Sequence, residues 1–211
     1  MSKIALTPNA SGSGTFTLAS PNSDTDRTLT LPDEAGTVLT SASDIPSSQI
    51  TGSLGITEAD QWRLTADFEI NSTFSKIAGS WERADALGAG SFGTGVTESS
   101  GVFTLPSTGY WYAWVQAGIY TTVNNSYIAI AVGYSSDSGS TFTATTANYG
   151  NNNAGGNYVA VQSNGYIFDI TNTSTQKLSF MARSQQGSNV FVTGDTTDTR
   201  SGIFFIRLGD T

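Results

Sequence analysis

The sequence contains no cysteine and no histidine. These absences exclude disulfide bonds, zinc sites with the usual ligands, and any triad or acid-base chemistry that uses an imidazole. Charged residues make up only 12% of the 211 residues, whereas glycine occurs 23 times and serine and threonine are abundant. This composition is typical of β-rich proteins and not of helical cytosolic enzymes.

Basic residues are few and scattered. Nine Lys and Arg against 17 Asp and Glu give a formal net charge of -8 and a pI near 4.2. We expect no nucleic-acid partner, because phosphate contacts require clustered basic side chains. No stretch reaches the length of a membrane span, and the start of the chain lacks the apolar core of a secretory signal. We therefore expect no membrane insertion, and assembly in a cytoplasm with release by a route such as lysis.

Aromatic residues are scarce in residues 1–60, where Phe16 is the only one, and the other 22 lie from Trp62 onward. This segment has too few large apolar groups to build its own core. It does contain short Thr-rich β patterns at 15–18, 28–31 and 37–40, separated by turn-forming residues. We expect residues 1–60 to form an extended β-rich anchor or stalk with a linker, which orders against sister chains or another surface. The alternative is a disordered polar tail.

Residues 57–66 carry the pattern of a helix start. Thr57 could cap the helix, and acids follow in the first turn. We predict a short helical collar here, at which three copies would meet through Trp62 or Leu64. The alternative is that Trp62 packs on its own domain.

The stretch from Gly101 to Tyr120 predicts a short strand, a turn and a long strand with two apolar faces. One face is aliphatic and would lie on a domain core. The other face is aromatic and amphipathic, and would be unusually large if it were exposed on a monomer. We expect it to be covered by symmetry mates, whereas the alternative is a platform that stacks on sugars. The candidate interface residues on this face are Tyr110, Tyr112, Trp114 and Tyr120.

Short apolar strands continue at regular spacing from Asp67 to the end of the chain. No helical period occurs in this part, so we predict an all-β domain of about ten strands over residues 67–211. The Asn-rich and Gly-rich segment 148–157 is expected to be a loop. Together with segment 194–200, it is the expected contact surface for a ligand.

The N-terminal segment resembles the leader modules that precede the distal domains of bacteriophage tail-fibre and virion appendage proteins. The resemblance covers about residues 12–46, through Gly14-Thr-Phe-Thr-Leu-Ala-Ser-Pro, Arg27-Thr-Leu-Thr-Leu-Pro-Asp-Glu-Ala-Gly and Ser43-Asp-Ile-Pro. It implies that this region anchors the protein to other virion proteins, in the capsid or in the tail.

The segment from about residue 67 to residue 210 is similar to the globular head of complement subcomponent q and its tumour-necrosis-factor relatives. The similarity is carried by the segment Gly101-Val-Phe-Thr-Leu-Pro-Ser-Thr-Gly-Tyr, by Phe168-Asp-Ile-Thr with Lys177-Leu-Ser-Phe, and by Ser201-Gly-Ile-Phe-Phe-Ile-Arg-Leu-Gly. It implies a ten-stranded jelly-roll sandwich that forms a homotrimer around a threefold axis. Some relatives bind calcium near that axis, but Asp137, Asp169, Asp195 and Asp198 lack the dense pattern of a dedicated site.

Taken together, these features predict a non-enzymatic structural protein of a tailed-phage virion. It would be a trimeric head fibre, a capsid decoration protein or a short fibre, anchored by residues 1–60 and displaying a knob over 67–211. The alternative function is a receptor-binding tail-fibre tip or a carbohydrate-binding adhesin that recognises a host surface glycan. No cofactor is expected, with calcium as the alternative, and paired carboxylates for glycoside hydrolysis have no support in the sequence.

Overall fold

The computed structural model describes residues 11–15, 17, 19, 22–26, 28, 55–86, 88–152, 157–162 and 165–211. The chain divides into two compact units, Met1–Asp44 and Ile45–Thr211. In the first unit the described residues are exposed, and the amide of Thr25 donates a hydrogen bond to Ser23 Oγ at 3.2 Å. Most of the proposed β-rich anchor over residues 1–60 lies outside the described residues.

The second unit is built from strands, and no helix occurs within the described ranges. The first six strands are short: β1 Ala59–Leu64, β2 Phe68–Glu69, β3 Ser75–Lys76, β4 Trp81–Arg83, β5 Thr97–Ser99 and β6 Val102–Thr104. The eight later strands are β7 Gly109–Thr121, β8 Asn125–Ser135, β9 Thr143–Asn152, β10 Asn157–Gln162, β11 Tyr166–Ile170, β12 Lys177–Ser184, β13 Val190–Val192 and β14 Gly202–Gly209. Since none of the described residues is helical, none forms a helix that could span a membrane.

The first sheet, sheet I, is organised around β7 and has the order β2-β13-β7-β14-β1-β4. Along one edge β7 pairs with β13 and then with β14. Along its other edge β7 pairs with β10 and then with β11, both antiparallel. The longest strand of the domain is therefore held on both sides along most of its length.

The second sheet, sheet II, has the order β5-β6-β12-β8-β9, with β3 also pairing with β12. The β12-β8 ladder is continuous from Lys177↔Ser135 to Ser184↔Ile128. The β8-β9 ladder follows it and contains register shifts near Gly133 and near the start of β8. These three strands form a regular surface, because each presents alternate residues to either side.

The core lies between the two sheets. The inward residues of β7 are almost fully buried, as the alternation in the sequence predicts: Trp111, Ala113, Val115, Ala117 and Ile119. They face the inward residues of β8 and β12, which include Ile130 and Phe180. Phe103 lies near the centre and contacts the rings of Trp81 at 5.3 Å and Phe205 at 5.5 Å. The prediction of an all-β jelly-roll sandwich is confirmed.

The prediction of a helix over residues 57–66 is wrong, because Ala59–Leu64 forms β1. This strand pairs with β14 on one side and with β4 on the other. Pairing on both edges provides hydrogen-bond partners for the backbone groups of β1, which a helix would have paired with one another. Tertiary context of this kind overrides helix propensity. The sandwich therefore includes residues before 67, inside the range assigned to the collar.

The predicted loop over 148–157 is also wrong in part, because Asn148–Asn152 belongs to β9 and Asn157 begins β10. An Asn-rich composition gave a turn prediction, but β8 provides a long ladder on which β9 extends. Segment 194–200 does lie between strands, connecting β13 to β14.

Candidate binding surfaces

The outward side of sheet I is rich in large apolar side chains, and we call it the aromatic face. Its members come from β7, β11, β13 and β14, are half-buried or exposed, and are Tyr110, Tyr112, Trp114, Tyr120, Ile167, Phe191, Phe204 and Ile206. Their outward position follows from the register, since Trp114 pairs with Phe204 and Tyr112 pairs with both Ile206 and Ile167. The four predicted interface residues of β7 therefore share one surface.

The centre of the aromatic face is ordered by ring contacts. The Trp114 and Phe204 rings stack with centroids 4.7 Å apart and an interplanar angle of 8°. The Tyr112 ring lies 5.5 Å from that of Trp114. A shallow cavity of ≈ 270 Å³ opens beside them, lined by Trp114, Phe204, Ile206 and residues of β1. Offset and stacked ring pairs of this kind contribute favourable contacts beyond the burial of their area.

The rim of this face includes side chains that are strongly exposed. Ile167 is 55% exposed and Tyr110 is 42% exposed, and both lie where β7 meets β11. In the described part of the chain, β11 pairs only with β7, so its outer edge is open. Phe92 is 59% exposed and lies next to β1 on the other side of sheet I from β11, because its backbone forms a bridge with Ala59.

The positive charge on this side of sheet I is neutralised within the chain. Arg63 is 2% exposed, and its guanidinium pairs with Glu82 at 2.6 Å and with Asp85 at 2.8 Å. It also donates to the carbonyl of Thr197 at 3.2 Å. Burial lowers the pKa of Arg63, but Glu82 and Asp85 outweigh burial and hold the pKa above its ordinary value. The aromatic face therefore presents rings and not a free cation.

Two solved structures resemble this arrangement of sheets. Eiger TNF from S. frugiperda superposes with a TM-score of 0.55 at 11% identity, covering 75% of this chain and 96% of that one. Murine APRIL superposes with a TM-score of 0.50 at 8% identity, covering 72% of this chain and 98% of that one. The fold is a TNF-like jelly roll. No family model and no curated protein matches the sequence.

Two of the predicted interface residues do not lie on the aromatic face of the TNF-like sandwich. Leu64 is 0% exposed inside the core of its own domain, so the prediction that it contacts sister chains is wrong. Trp62 lies on the core side of β1, where its ring is 6.0 Å from Phe103 and its indole N–H donates to Asp60 Oδ2 at 3.3 Å. Assigning both residues to a helix hid the alternation that places them inside.

An ion pair between a buried carboxylate and a half-buried arginine holds β1 to its neighbours in the TNF-like sandwich. The Asp60 carboxylate accepts two hydrogen bonds from Arg83 Nε and Nη2 at 3.0 Å each, and one from the amide of Val96 at 2.7 Å. The Arg83 guanidinium also lies 5.0 Å from the Trp62 ring. Asp60, one of the acids that indicated a helix start, is thus a structural contact of the sheet.

The four acids considered for calcium are dispersed over the TNF-like sandwich. Asp137 lies in the β8–β9 turn, Asp169 in β11, and Asp195 and Asp198 between β13 and β14. Hydrogen bonds from Thr141 and Ser135 lower the pKa of Asp137 to about 2. Backbone amides of Asp198 and Thr197, with the charge of Arg200, lower the pKa of Asp195. No group of three acids converges among the residues that are described.

Proposed function

We propose that the protein is a non-enzymatic structural component of a tailed-phage virion, a homotrimeric head fibre, decoration protein or short fibre. In this proposal the N-terminal region anchors the protein to other virion proteins, and the TNF-like knob is displayed outward. The observation that carries the proposal is the aromatic face, which lies on the central strands of the knob and is too apolar to be left in water.

Burial against another copy of the chain removes this apolar surface. Rings on β7 and β14 form its ordered centre, and burying apolar area stabilises association by about 25 cal/mol per Å². Arg63 leaves no free positive charge beside that centre, because it is paired with Glu82 and Asp85. Depletion of charge and enrichment of Tyr, Trp and Phe are characteristic of the buried centre of an interface.

A closed ring of copies fits the positions of the exposed residues. The open edge at β11 carries Tyr166 and Ile167, which are both exposed, and it differs from the aromatic centre at Trp114. Contact between the edge of one copy and the face of the next is head to tail, and such contacts end only when the ring closes. The resemblance to complement-q heads supports a ring of three.

The assignment to a virion is supported by the leader-like pattern of residues 12–46. The non-enzymatic part of the proposal is supported by composition only against imidazole and thiol chemistry, since histidine and cysteine are absent.

Native mass spectrometry of the full chain tests the assembly. We expect a species of three times the 22.1 kDa chain mass at micromolar concentration. A stable single-copy species would contradict the trimer.

Immunogold labelling of particles produced in cells that carry the gene tests the virion role. Gold at a capsid or tail position is expected, and label confined to the soluble lysate would contradict the role.

Incubation with host polysaccharide tests the non-enzymatic assignment, and new reducing ends would contradict it.

A further inference from the structure

The outward side of sheet II carries a second surface, which differs from the aromatic face. Arg183 of β12 lies in register with Ala129 of β8, and Ala129 lies in register with Tyr149 of β9. Ala129 and Ala131 are small and fully covered, so they form a floor beneath longer side chains. The guanidinium of Arg183 lies above this floor.

Three aromatic rings surround that guanidinium. The Cζ atom of Arg183 is 4.8 Å from the ring centroid of Phe74, 5.2 Å from that of Tyr127 and 5.8 Å from that of Tyr149. The Tyr127 and Tyr149 rings lie 6.0 Å apart at an angle of 62°. We call these four residues the arginine cluster. Guanidinium groups are attracted to ring faces, so the rings hold the cation in a fixed position.

The charge of Arg183 has no counter-ion among the described residues, although Arg63, Arg83, Arg200 and Arg207 each pair with a carboxylate. Its Nη2 donates one hydrogen bond, to the hydroxyl of Tyr149 at 3.1 Å. Its Nε is buried and has no acceptor. A cation that is partly removed from water and lacks a carboxylate gains more from an incoming anion than a solvated one does.

The surroundings of the cation suit a sugar ring. Tyr149 is 55% exposed, and its ring face can pack against the apolar C–H side of a sugar. Asn151, two residues further along β9, is exposed and can both donate to and accept from hydroxyl groups. Arginine binds carboxylates through two parallel hydrogen bonds, which lysine does not match.

We propose that the arginine cluster binds the carboxylate of a uronic-acid unit in an acidic surface polysaccharide. Arg183 provides the charge and the donors, and Tyr149 and Tyr127 provide the surface for stacking. The protein has a net charge of -8, so nonspecific attraction of polyanions does not account for such binding. The site is on the outward side of sheet II, away from the aromatic face of sheet I, and does not depend on the oligomeric state. In a trimer, three such sites would add avidity to weak single contacts.

Titration with matched oligosaccharides tests this site on the full chain. The probes are short oligomers of galacturonate, of guluronate and of glucuronate, each compared with its methyl ester, which keeps the sugar ring and removes the charge. We expect at least one free acid to bind about tenfold or more tightly than its ester, because charged hydrogen bonds are stronger than neutral ones. Equal binding of acid and ester across all three pairs would overturn the proposal.

Variants locate the binding. Arg183→Gln should bring the acid-to-ester ratio close to one, and Arg183→Lys should retain part of it, because an ammonium keeps the charge and loses the planar fork. Tyr149→Phe should lower affinity only a few-fold, since the ring stays. The matched control is Lys177→Gln, which removes a positive charge from the same face of β12, six residues or about 20 Å away. Its Nζ donates to the carbonyl of Thr173 at 2.7 Å, outside any ring cluster.

Three further outcomes decide against the proposal. One is an equal loss of binding in Lys177→Gln and Arg183→Gln. Another is an unchanged acid-to-ester ratio in Arg183→Gln. The third is binding of poly-glutamate as tight as that of the uronate oligomers, which would assign the site to acidic peptides. Circular dichroism of each variant checks the fold, and its native mass checks the assembly. Loss of the proposed trimer is thereby measured separately from loss of sugar binding.

Discussion

The outward faces of the two sheets use arginine and aromatic rings in opposite ways. On sheet I, Arg63 is closed off by Glu82 and Asp85, and the rings around Trp114 remain available. On sheet II, Arg183 lies against the rings of Phe74, Tyr127 and Tyr149, and its charge has no carboxylate partner among the described residues. The same residue types therefore leave rings accessible on one face and a cation without a carboxylate partner on the other. Which groups are left unsatisfied, and not which groups are present, distinguishes the two faces.

A charge placed on each face gives the largest expected difference. Trp114→Glu should convert the proposed trimer to single chains at micromolar concentration, because a carboxylate would be buried without a partner at the centre of the proposed interface. The expected loss is on the order of 4 kcal/mol per interface, or a factor of about 10³ in dissociation. Native mass spectrometry measures it. Tyr149→Glu makes the same chemical change to an exposed ring on sheet II and should leave the trimer intact. Dissociation by both variants, or by neither, would remove the contrast between the faces.

The same substitution at the two arginines should separate a structural role from a binding role. Arg63→Met should lower the free energy of unfolding by about 2–3 kcal/mol, since it removes a buried cation from two carboxylates, which are themselves partly in water. Arg183→Met should change it by less than about 1 kcal/mol, because the lost ring contacts are offset by removal of an unpaired buried N–H. Urea unfolding followed by circular dichroism compares them. A larger loss for Arg183→Met would mean that the arginine cluster holds the fold together.

The β7 part of the aromatic face was predictable from sequence because it lies along one strand. A period of two over Tyr110 to Tyr120 is enough to assign both faces of β7, and the buried alternation from Trp111 to Ile119 confirms it. The partners Phe204 and Ile206 are placed opposite β7 only by the β14 register. Local alternation thus defines a strand face, and pairing between distant strands defines a surface.

The arginine cluster could not be found in this way. Phe74, Tyr127, Tyr149 and Arg183 come from four separate segments, and no spacing along the chain relates them. Their meeting depends on the registers of β12 with β8 and of β8 with β9, which have long sequence separation. The failure at β1 has the related cause that its local pattern favours a helix, whereas its pairing with β14 and β4 makes it a strand. Sequence patterns report local preference, and both errors occur where distant partners decide.

Two glycines at outward positions test how tightly each sheet is covered. An added Cβ at Gly118 of β7 would lie 2.6 Å from Thr193 Oγ1, and that hydroxyl donates to the Gly118 carbonyl at 3.0 Å. At Gly133 of β8, the Cβ would lie 2.5 Å from the sulfur of Met181, an unbranched side chain that can move aside. We expect a loss of unfolding free energy of about 2 kcal/mol for Gly118→Ala and about 1 kcal/mol for Gly133→Ala. Thermal unfolding of the two variants measures the difference, and the reverse order would show that sheet II is the less adaptable surface.

The smallest effect concerns two carboxylates, one beside each sheet. In the β8–β9 turn, Asp137 accepts hydrogen bonds from the amide of Thr141 at 2.9 Å and from the hydroxyls of Thr141 at 2.6 Å and Ser135 at 2.7 Å, which lower its pKa from 3.8 to about 2. Because the folded pKa lies below the unfolded one, the stabilisation is present above pH 3.8 and is lost as the pH falls towards 2. Asp137→Asn should flatten this part of the pH dependence of urea unfolding, and the flattening should be insensitive to salt, since the donors are neutral. The amides of Asp198 and Thr197 are the main cause of the lowered pKa of Asp195, and its carboxylate is also paired with Arg200 at 2.7 Å, so part of the contribution removed by Asp195→Asn should shrink in high salt. Equal salt dependence for the two variants would show that charge, and not neutral donors, stabilises the turn of sheet II.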